Sequence, residues 1–473
     1  MVFSSLEFLF LYLPVTLLFY FMIPPKYLKW RNLELLVMSL IFYGWGEPVY
    51  MFLMIFTIII DYIGGFLVAK YLDTNKKKSK AWMIATIVVN LLILGFFKYY
   101  NFFVENINLV TGLTIPVLEN LRLPIGISFY TFQSLSYVID VYRRDARVQK
   151  DLPSFGAYVT LFPQLIAGPI VRYQDVDDML RERDENVTLF ASGIRTFLAG
   201  FGKKIFFANV AGQMWETYRA LPADDRTVFG CWIAMICYMF QIYFDFSGYS
   251  DMAIGLGKMV GFRFLENFNY PYVATSINDF WRRWHISLTT WFREYIYFPL
   301  GGSRVDKQWK QYRNMFIVWF CTGFWHGASW NYILWGMYYF VLQALEKAFL
   351  GKWLEKTPKF FQHLYTLFFV LFGWLLFTFE DLGAGMAYMG NMFGVGMNTF
   401  INTAAIYDFL RNLVFFIILV IACTPYPKKL FYKLYEKHGW ARTAAYIGGV
   451  VVLLTGVAYL VDSSFNPFLY FRF

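Results

Sequence analysis

Long apolar runs recur from one end of the chain to the other, and short polar segments separate them. A helix needs about 20 mostly apolar residues to cross a bilayer. The pattern therefore predicts an all-α polytopic membrane protein whose runs are crossings or buried hairpins. The predicted runs are residues 6–24, 32–46, 48–70, 82–100, 123–141, 153–171, 192–212, 227–247, 250–262, 314–326, 329–349, 360–379, 403–424 and 444–461.

Glycine and proline interrupt several of these runs. Residues 153–171 contain Pro163, Gly168 and Pro169, which predict a re-entrant segment, because non-helical backbone at membrane depth needs protein or water around it. Gly255 and Gly257 lack the spacing of a dinucleotide-binding turn, and they predict close helix packing instead. No repeat or linker divides the sequence, so we expect a single integral membrane domain over residues 1–473.

Composition and charge support the membrane assignment. The chain is 58% hydrophobic and only 16% charged, with a mean hydropathy of +0.44, and a soluble protein of this length is far less apolar. The net charge of +10 comes from basic clusters between the apolar runs, as in cytoplasmic loops, so nucleic acid is not an expected partner. If residues 314–349 form a hairpin, all these clusters share the cytoplasmic face, and both chain ends are then predicted outside.

His326 is the first candidate for chemistry. It ends an apolar run that starts after Arg313, and the helical rise between the two is roughly 20 Å. His326 is therefore predicted to lie inside the membrane, where Gly327 and Ser329 break the helix. An ionisable side chain at that depth is a functional-site hypothesis. The alternative from the residues alone is a neutral histidine that bonds a neighbouring helix.

Further candidates lie before and beside His326. His285 follows Trp281, Arg282 and Arg283, a segment typical either of an interface anchor or of arginines that meet the phosphates of coenzyme A. The carboxylates of Asp245 and Asp251 could pair, bind a cation or orient a histidine, although a structural hydrogen-bond role explains them at least as well. The remaining predicted substrate contacts come from the segment around His326: Trp325, Ser329 and Asn331.

These groups suit acyl transfer to a hydroxyl. A neutral imidazole can take the hydroxyl proton, and no serine elbow or Ser–His–Asp order is visible, which favours direct transfer assisted by His326. Three or four clustered zinc ligands are not offered by the sequence. We therefore expect no metal and no tightly bound cofactor.

Five segments of the chain resemble the membrane-bound O-acyltransferase family, in particular its bacterial alginate O-acetyltransferase branch. They are MVFSSLEFLFLYLP, QIYFDFSGYSDMAIGLGKMVGF, NYPYVATSINDFWRRWHISLTTWFREYIYFPLGGSR, TGFWHGASWNYILWG and NPFLYFRF. The resemblance implies a helical bundle around a central tunnel. It also implies that His326 is the catalytic histidine and that His285 is the second signature histidine at the cytoplasmic side.

The resemblance also carries expectations about substrates and partners. It implies a protein of the bacterial cytoplasmic membrane that moves an acetyl group outward from a thioester donor, acetyl-CoA. The acetyl group would serve O-acetylation of an extracytoplasmic polysaccharide such as alginate, cellulose or peptidoglycan, with an extracytoplasmic acetyltransferase as partner. D-alanyl transfer to teichoic acid from a carrier protein is an alternative within the family. An exporter of a glycan or lipid intermediate and a non-catalytic scaffold are alternatives outside it.

Overall fold

The computed structural model describes residues 1–166, 168–222, 225–462, 465–466 and 469. Within those ranges the chain forms helices and loops without a β-strand, which confirms the predicted all-α class. The α-helices are α1 (Leu13–Met22), α2 (Leu28–Gly44), α3 (Tyr50–Leu72), α4 (Lys76–Thr111), α5 (Ile127–Arg143), α6 (Leu152–Thr160), α7 (Phe162–Leu165), α8 (Tyr173–Arg181), α9 (Val187–Gly202), α10 (Asn209–Arg219), α11 (Val228–Met259), α12 (Ile277–Trp281), α13 (Ile286–Phe292), α14 (Gln308–His326), α15 (Trp330–Leu345), α16 (Gly351–Glu355), α17 (Lys359–Thr378), α18 (Leu382–Met392), α19 (Thr403–Arg411), α20 (Leu413–Ala422), α21 (Tyr426–Lys437) and α22 (Gly439–Asp462). Turns of π-helix lie at Phe8–Tyr12, Lys203–Ala208, Arg293–Tyr297 and Glu346–Leu350, and 3-10 turns lie at Pro25–Tyr27 and Pro271–Val273.

In the described ranges, five helices are long and apolar enough to cross a membrane: α3, α4, α11, α17 and α22. Two bent pairs also qualify: Phe8–Met22 with Pro25–Gly44, at 105°, and Thr403–Arg411 with Leu413–Ala422, at 54°. These helices confirm the prediction of a multi-pass membrane protein. The number of crossings, the re-entrant segment, the tunnel and the side faced by the chain ends stay predictions.

The predicted division of α11 into two runs is wrong. Most of both runs belongs to one helix of 32 residues, Val228–Met259, because Gly248 and Gly255 serve close packing without ending the helix. A Cβ atom on Gly248 would lie 2.8 Å from the carbonyl oxygen of Gly200, and one on Gly255 would lie 2.6 Å from the backbone nitrogen of Phe197. The close packing predicted around Gly255 is therefore confirmed.

The predicted run at residues 403–424 is long and apolar enough for one crossing only as a bent pair of helices. It forms α19 and α20, which meet at Asn412 with a bend of 54°. The side chain of Asn412 donates a hydrogen bond to the carbonyl oxygen of Asp408 at 2.8 Å. An asparagine side chain competes with backbone N–H groups for the carbonyl oxygens of the preceding helical turn. A hydropathy pattern contains no information about this competition.

The contacts divide the chain into two compact units, and the first comprises Met1–Phe197 and Tyr249–Glu266. Its helices α3 and α4 are joined by a buried hydrogen bond from the amide of Asn90 to a carboxylate oxygen of Asp61, at 2.6 Å. A buried ion pair between Arg31 and Glu185 ties α2 to the segment before α9. These two contacts pair buried polar groups between separate segments of the unit, which lowers the cost of burying them.

The second unit comprises Leu198–Gly248 and Asn267–Phe473. Its core is aromatic, and Trp335, Trp374 and Tyr339 are almost fully buried. The prediction of one domain over residues 1–473 stays a prediction.

Helices α14 and α15 of this second unit form an antiparallel hairpin. Cβ atoms on Gly323 and Gly336 would lie 2.3 and 2.4 Å from carbonyl oxygens of the facing helix. Farther along, the indole nitrogen of Trp319 donates to Gln343 at 3.0 Å. Small residues at the crossing let the two backbones touch.

A buried ion pair connects the π-helical turn Lys203–Ala208 to α11. The ammonium of Lys204 lies 2.6 Å from a carboxylate oxygen of Asp245, and each side chain is only 2% exposed. The second carboxylate oxygen accepts a hydrogen bond from the backbone nitrogen of Leu469 at 2.9 Å. Burying these charges is tolerable because they compensate each other.

We expect Gly336→Val to destabilise the hairpin by about 3 kcal/mol, because the new side chain must push the backbone of α14 away. Thermal unfolding in detergent measures the effect. Gly95→Val is the matched control, since a Cβ atom on Gly95 meets nothing within 4 Å. Equal melting temperatures for the two variants would contradict the close crossing.

Lys204→Met is expected to cost about 3–5 kcal/mol of stability, because it leaves the Asp245 carboxylate buried without its cation. The double variant Lys204→Met/Asp245→Leu should recover most of that loss, since it removes the stranded charge. Chemical unfolding of the three proteins checks this order. A double variant less stable than Lys204→Met would refute the compensation.

Candidate active site

His326 is the last residue of α14, and α15 begins at Trp330. The helix break predicted at Gly327 and Ser329 is therefore confirmed. The His326 side chain is buried, and the rings of Trp325, Trp335 and Phe377 meet the imidazole edge to face, with centroids 5.0, 5.0 and 5.2 Å away. These rings limit how far the imidazole can turn. Its depth in the membrane stays a prediction.

A small cavity in the second unit brings His326 and His285 together. Its volume is about 20 Å³, room for roughly one water molecule. A ligand larger than water therefore enters only if the lining side chains move apart. The lining residues are Ile242, Asp245, Phe246, Trp284, His285, His326, Trp335, Trp374, Phe377 and Leu469.

His285 precedes α13 in a left-handed backbone conformation, with φ 44° and ψ 55°. Such a conformation costs a residue with a side chain roughly 1–3 kcal/mol and persists only where neighbours enforce it. The imidazole is buried edge to face on Phe246, at 4.7 Å between centroids. Burial lowers the pKa of His285 to about 3, because an apolar environment disfavours the charged ring. His285 is therefore neutral at physiological pH.

Asn267 holds His285 and was missed by sequence reasoning. Its side-chain oxygen lies 3.2 Å from Nδ1 of His285, and it accepts hydrogen bonds from the backbone nitrogen and the hydroxyl of Ser287 at 3.1 and 2.9 Å. The backbone oxygen of Asn267 accepts from the nitrogen of Ile286 at 2.9 Å. No motif marks an asparagine in a loop, so only the fold reveals this contact.

Asp245 lines the cavity, and its carboxylate is paired with Lys204. The predicted contact of Asp245 with substrate stays a prediction. Lys204 was not among the predicted site residues. A signal was present, because a lysine inside the apolar run at residues 192–212 is costly unless it has a partner.

The three predicted residues before Trp284 lie outside the cavity lining. Trp281 is buried against Trp319 and Tyr339, each at 4.9 Å between ring centroids. Arg283 forms an ion pair with Asp279 at 2.9 Å. Arg282 is exposed, so it is available to a ligand that approaches from solvent. Their predicted contacts with substrate stay predictions.

The other predicted contacts lie close to His326. Trp325 is buried between the two histidines, with ring centroids 6.4 Å from His285 and 5.0 Å from His326. Asn331 is fully buried and donates to the carbonyl oxygen of Phe377 at 3.3 Å, which ties the start of α15 to the end of α17. Ser329 is half-buried and directly precedes α15.

This arrangement can move protons in a dry, aromatic enclosure. A neutral imidazole accepts a proton from a hydroxyl, and exclusion of water strengthens every charge that develops nearby. Because the two histidines have different surroundings, each can exchange a proton or a hydrogen bond with a different group of the reactants. The chemistry that fits them is group transfer to a hydroxyl.

Comparison with known proteins identifies the family. Residues 127–389 match the model of the membrane-bound O-acyltransferase family, and this segment includes both histidines. A relative in Pseudomonas aeruginosa named "Probable alginate O-acetylase AlgI" is 43% identical over 402 residues, covering 84% of this chain and 75% of the relative. The peptidoglycan O-acetyltransferase of Helicobacter pylori is 31% identical over 526 aligned positions, covering 100% of this chain and 98% of its own.

A third relative carries a different acyl group in its name. The teichoic acid D-alanyltransferase of Bacillus subtilis is 31% identical over 282 residues, covering 55% of this chain and 70% of its own. Alginate, peptidoglycan and teichoic acid relatives thus share acyl transfer and differ in what they acylate. The chain is a multi-pass membrane acyltransferase, and it belongs to the membrane-bound O-acyltransferase family.

Proposed function

We propose that this acyltransferase takes an acetyl group from acetyl-CoA on the cytoplasmic side of a bacterial cytoplasmic membrane. The acetyl group is passed across the membrane for O-acetylation of an extracytoplasmic polysaccharide. An extracytoplasmic acetyltransferase completes the transfer to sugar. The acceptor belongs to the class of alginate-, cellulose- or peptidoglycan-like polymers.

One observation carries the catalytic part of the proposal. His285 and His326, which lie 41 positions apart in the sequence, line the same small cavity. Buried imidazoles among aromatic rings are costly placements for packing alone, because an apolar side chain would fill the same space without polar atoms. The family relationship and the relatives named O-acetyltransferases support the acetyl group.

The reaction is a direct acyl exchange. The acceptor oxygen attacks the thioester carbonyl carbon, a C–O bond forms and the C–S bond breaks. His326 accepts the hydroxyl proton and returns it to the departing thiolate, so the products are an ester and free coenzyme A. Aromatic side chains around His326 keep water from competing as the acceptor.

The donor is proposed to dock near Arg282. This exposed guanidinium lies outside the cavity lining. A guanidinium binds phosphate oxygens through paired hydrogen bonds. Arg283 is already engaged by Asp279, so Arg282 is the better placed of the two for the phosphates of coenzyme A.

His326→Gln should lower kcat for acetyl transfer by about 10²–10⁴-fold, the usual contribution of a general base. Purified protein in nanodiscs with radiolabelled acetyl-CoA, the extracytoplasmic partner and an acceptor glycan gives the measurement. His438→Gln is the matched control, since His438 follows α21 and stacks on Trp440, outside the cavity lining. Wild-type kcat in His326→Gln would sink the proposed mechanism.

We expect acetyl-CoA to act as donor without a carrier protein. The test compares radiolabel transfer from acetyl-CoA with transfer from an acyl carrier protein loaded with acetate or D-alanine. Arg282→Ala should raise KM for acetyl-CoA about tenfold, since one charge-assisted contact contributes ~1.4 kcal/mol or more. Turnover with the loaded carrier alone would replace the proposed donor.

A further inference from the structure

The side chain of Asn267 can be oriented unambiguously. The backbone nitrogen of Ser287 carries a hydrogen and can only donate, so the atom that faces it at 3.1 Å must be the amide oxygen. A flipped amide would set two donors against each other. Asn267 is 1% exposed, so water does not offer an alternative arrangement.

This orientation determines the tautomer of His285. The same oxygen of Asn267 lies 3.2 Å from Nδ1 of the imidazole. The Ser287 hydroxyl is a more distant second partner of Nδ1, at 3.5 Å, and the nearer oxygen acceptor of Asn267 favours a proton on Nδ1. Because the buried ring is neutral, Nε2 then carries the lone pair. The hydroxyl of Ser287 also donates to this oxygen, at 2.9 Å.

The backbone contacts of Asn267 also hold His285 in place. His285 is one of three non-glycine residues with a positive φ in the described ranges. The hydrogen bonds from the Ile286 and Ser287 nitrogens to Asn267 close around this strained residue on its C-terminal side. One asparagine thus holds both the backbone and the ring of His285.

We propose that Asn267 is a positioning residue that keeps His285 as the Nδ1–H tautomer, with the lone pair of the ring on Nε2, and that turnover depends on this tautomer. The proposal rests on the proposed function for the part that His285 plays in turnover. The assignment of the tautomer rests on the geometry alone.

The deciding measurement is the ring-nitrogen NMR spectrum of protein labelled with ¹⁵N-histidine in nanodiscs. The chain has four histidines, and single His→Gln variants at 285, 326, 363 and 438 assign the signals. For wild-type protein we expect a protonated Nδ1 and an unprotonated Nε2 at His285. A wild-type signal from the Nε2–H tautomer would overturn the proposal.

Three variants separate positioning from general packing. Asn267→Asp keeps an acceptor oxygen and should keep Nδ1 protonated. Asn267→Leu removes the acceptor, so the Nε2–H tautomer should appear and kcat should fall by about 10–100-fold with a smaller change in KM. Ser287→Ala removes only the competing hydroxyl and should leave the tautomer unchanged. An unaltered tautomer in Asn267→Leu would contradict the role of Asn267.

The spectrum and the turnover assay fail independently. If His285→Gln retains wild-type turnover while the spectra follow the expected pattern, Asn267 sets the tautomer and His285 has no part in the reaction, which contradicts the functional half of the proposal. If no donor supports turnover in wild-type protein, the proposed function fails, and the spectra still decide what Asn267 does.

Discussion

The site depends on a backbone contact that only glycine permits. At the crossing of α14 and α15, Gly323 and Gly336 leave room for carbonyl oxygens of the facing helix. That contact brings Trp335 against the ring of His326 at the end of α14. A larger residue at either position would separate the helices, and the aromatic enclosure around the imidazole would open to water.

Two polar groups beside this enclosure are stabilised by partners with complementary chemistry. The Asp245 carboxylate is balanced by Lys204, and Nδ1 of His285 is held by Asn267. In apolar surroundings an uncompensated charge or donor costs several kcal/mol. The Lys204–Asp245 pair and the Asn267–His285 contact thus add no uncompensated charge to the cavity. The cavity itself leaves room for roughly one water molecule. Such a site favours acyl transfer over hydrolysis.

The sequence was most informative where local rules act. The apolar runs predicted the helical membrane class, and Gly327 with Ser329 predicted the break beside His326, because helix breaking depends on neighbouring residues. The glycines of α11 were harder to interpret. The same residue type can end a helix or let two helices touch, and Gly248 does the latter. Lys204 and Asn267 lie 41 and 18 positions from their partners, and such pairings arise only when the chain folds.

The central proposal is that the acyl group reacts between the two histidines of one cavity. A cryo-EM structure with a thioether analogue of acetyl-CoA, which cannot be cleaved, tests this most directly. The account predicts that the cavity widens and that the carbonyl of the analogue lies within hydrogen-bond reach of the His326 imidazole. An analogue that binds in an ordered pose with its carbonyl remote from both His326 and His285 would contradict it.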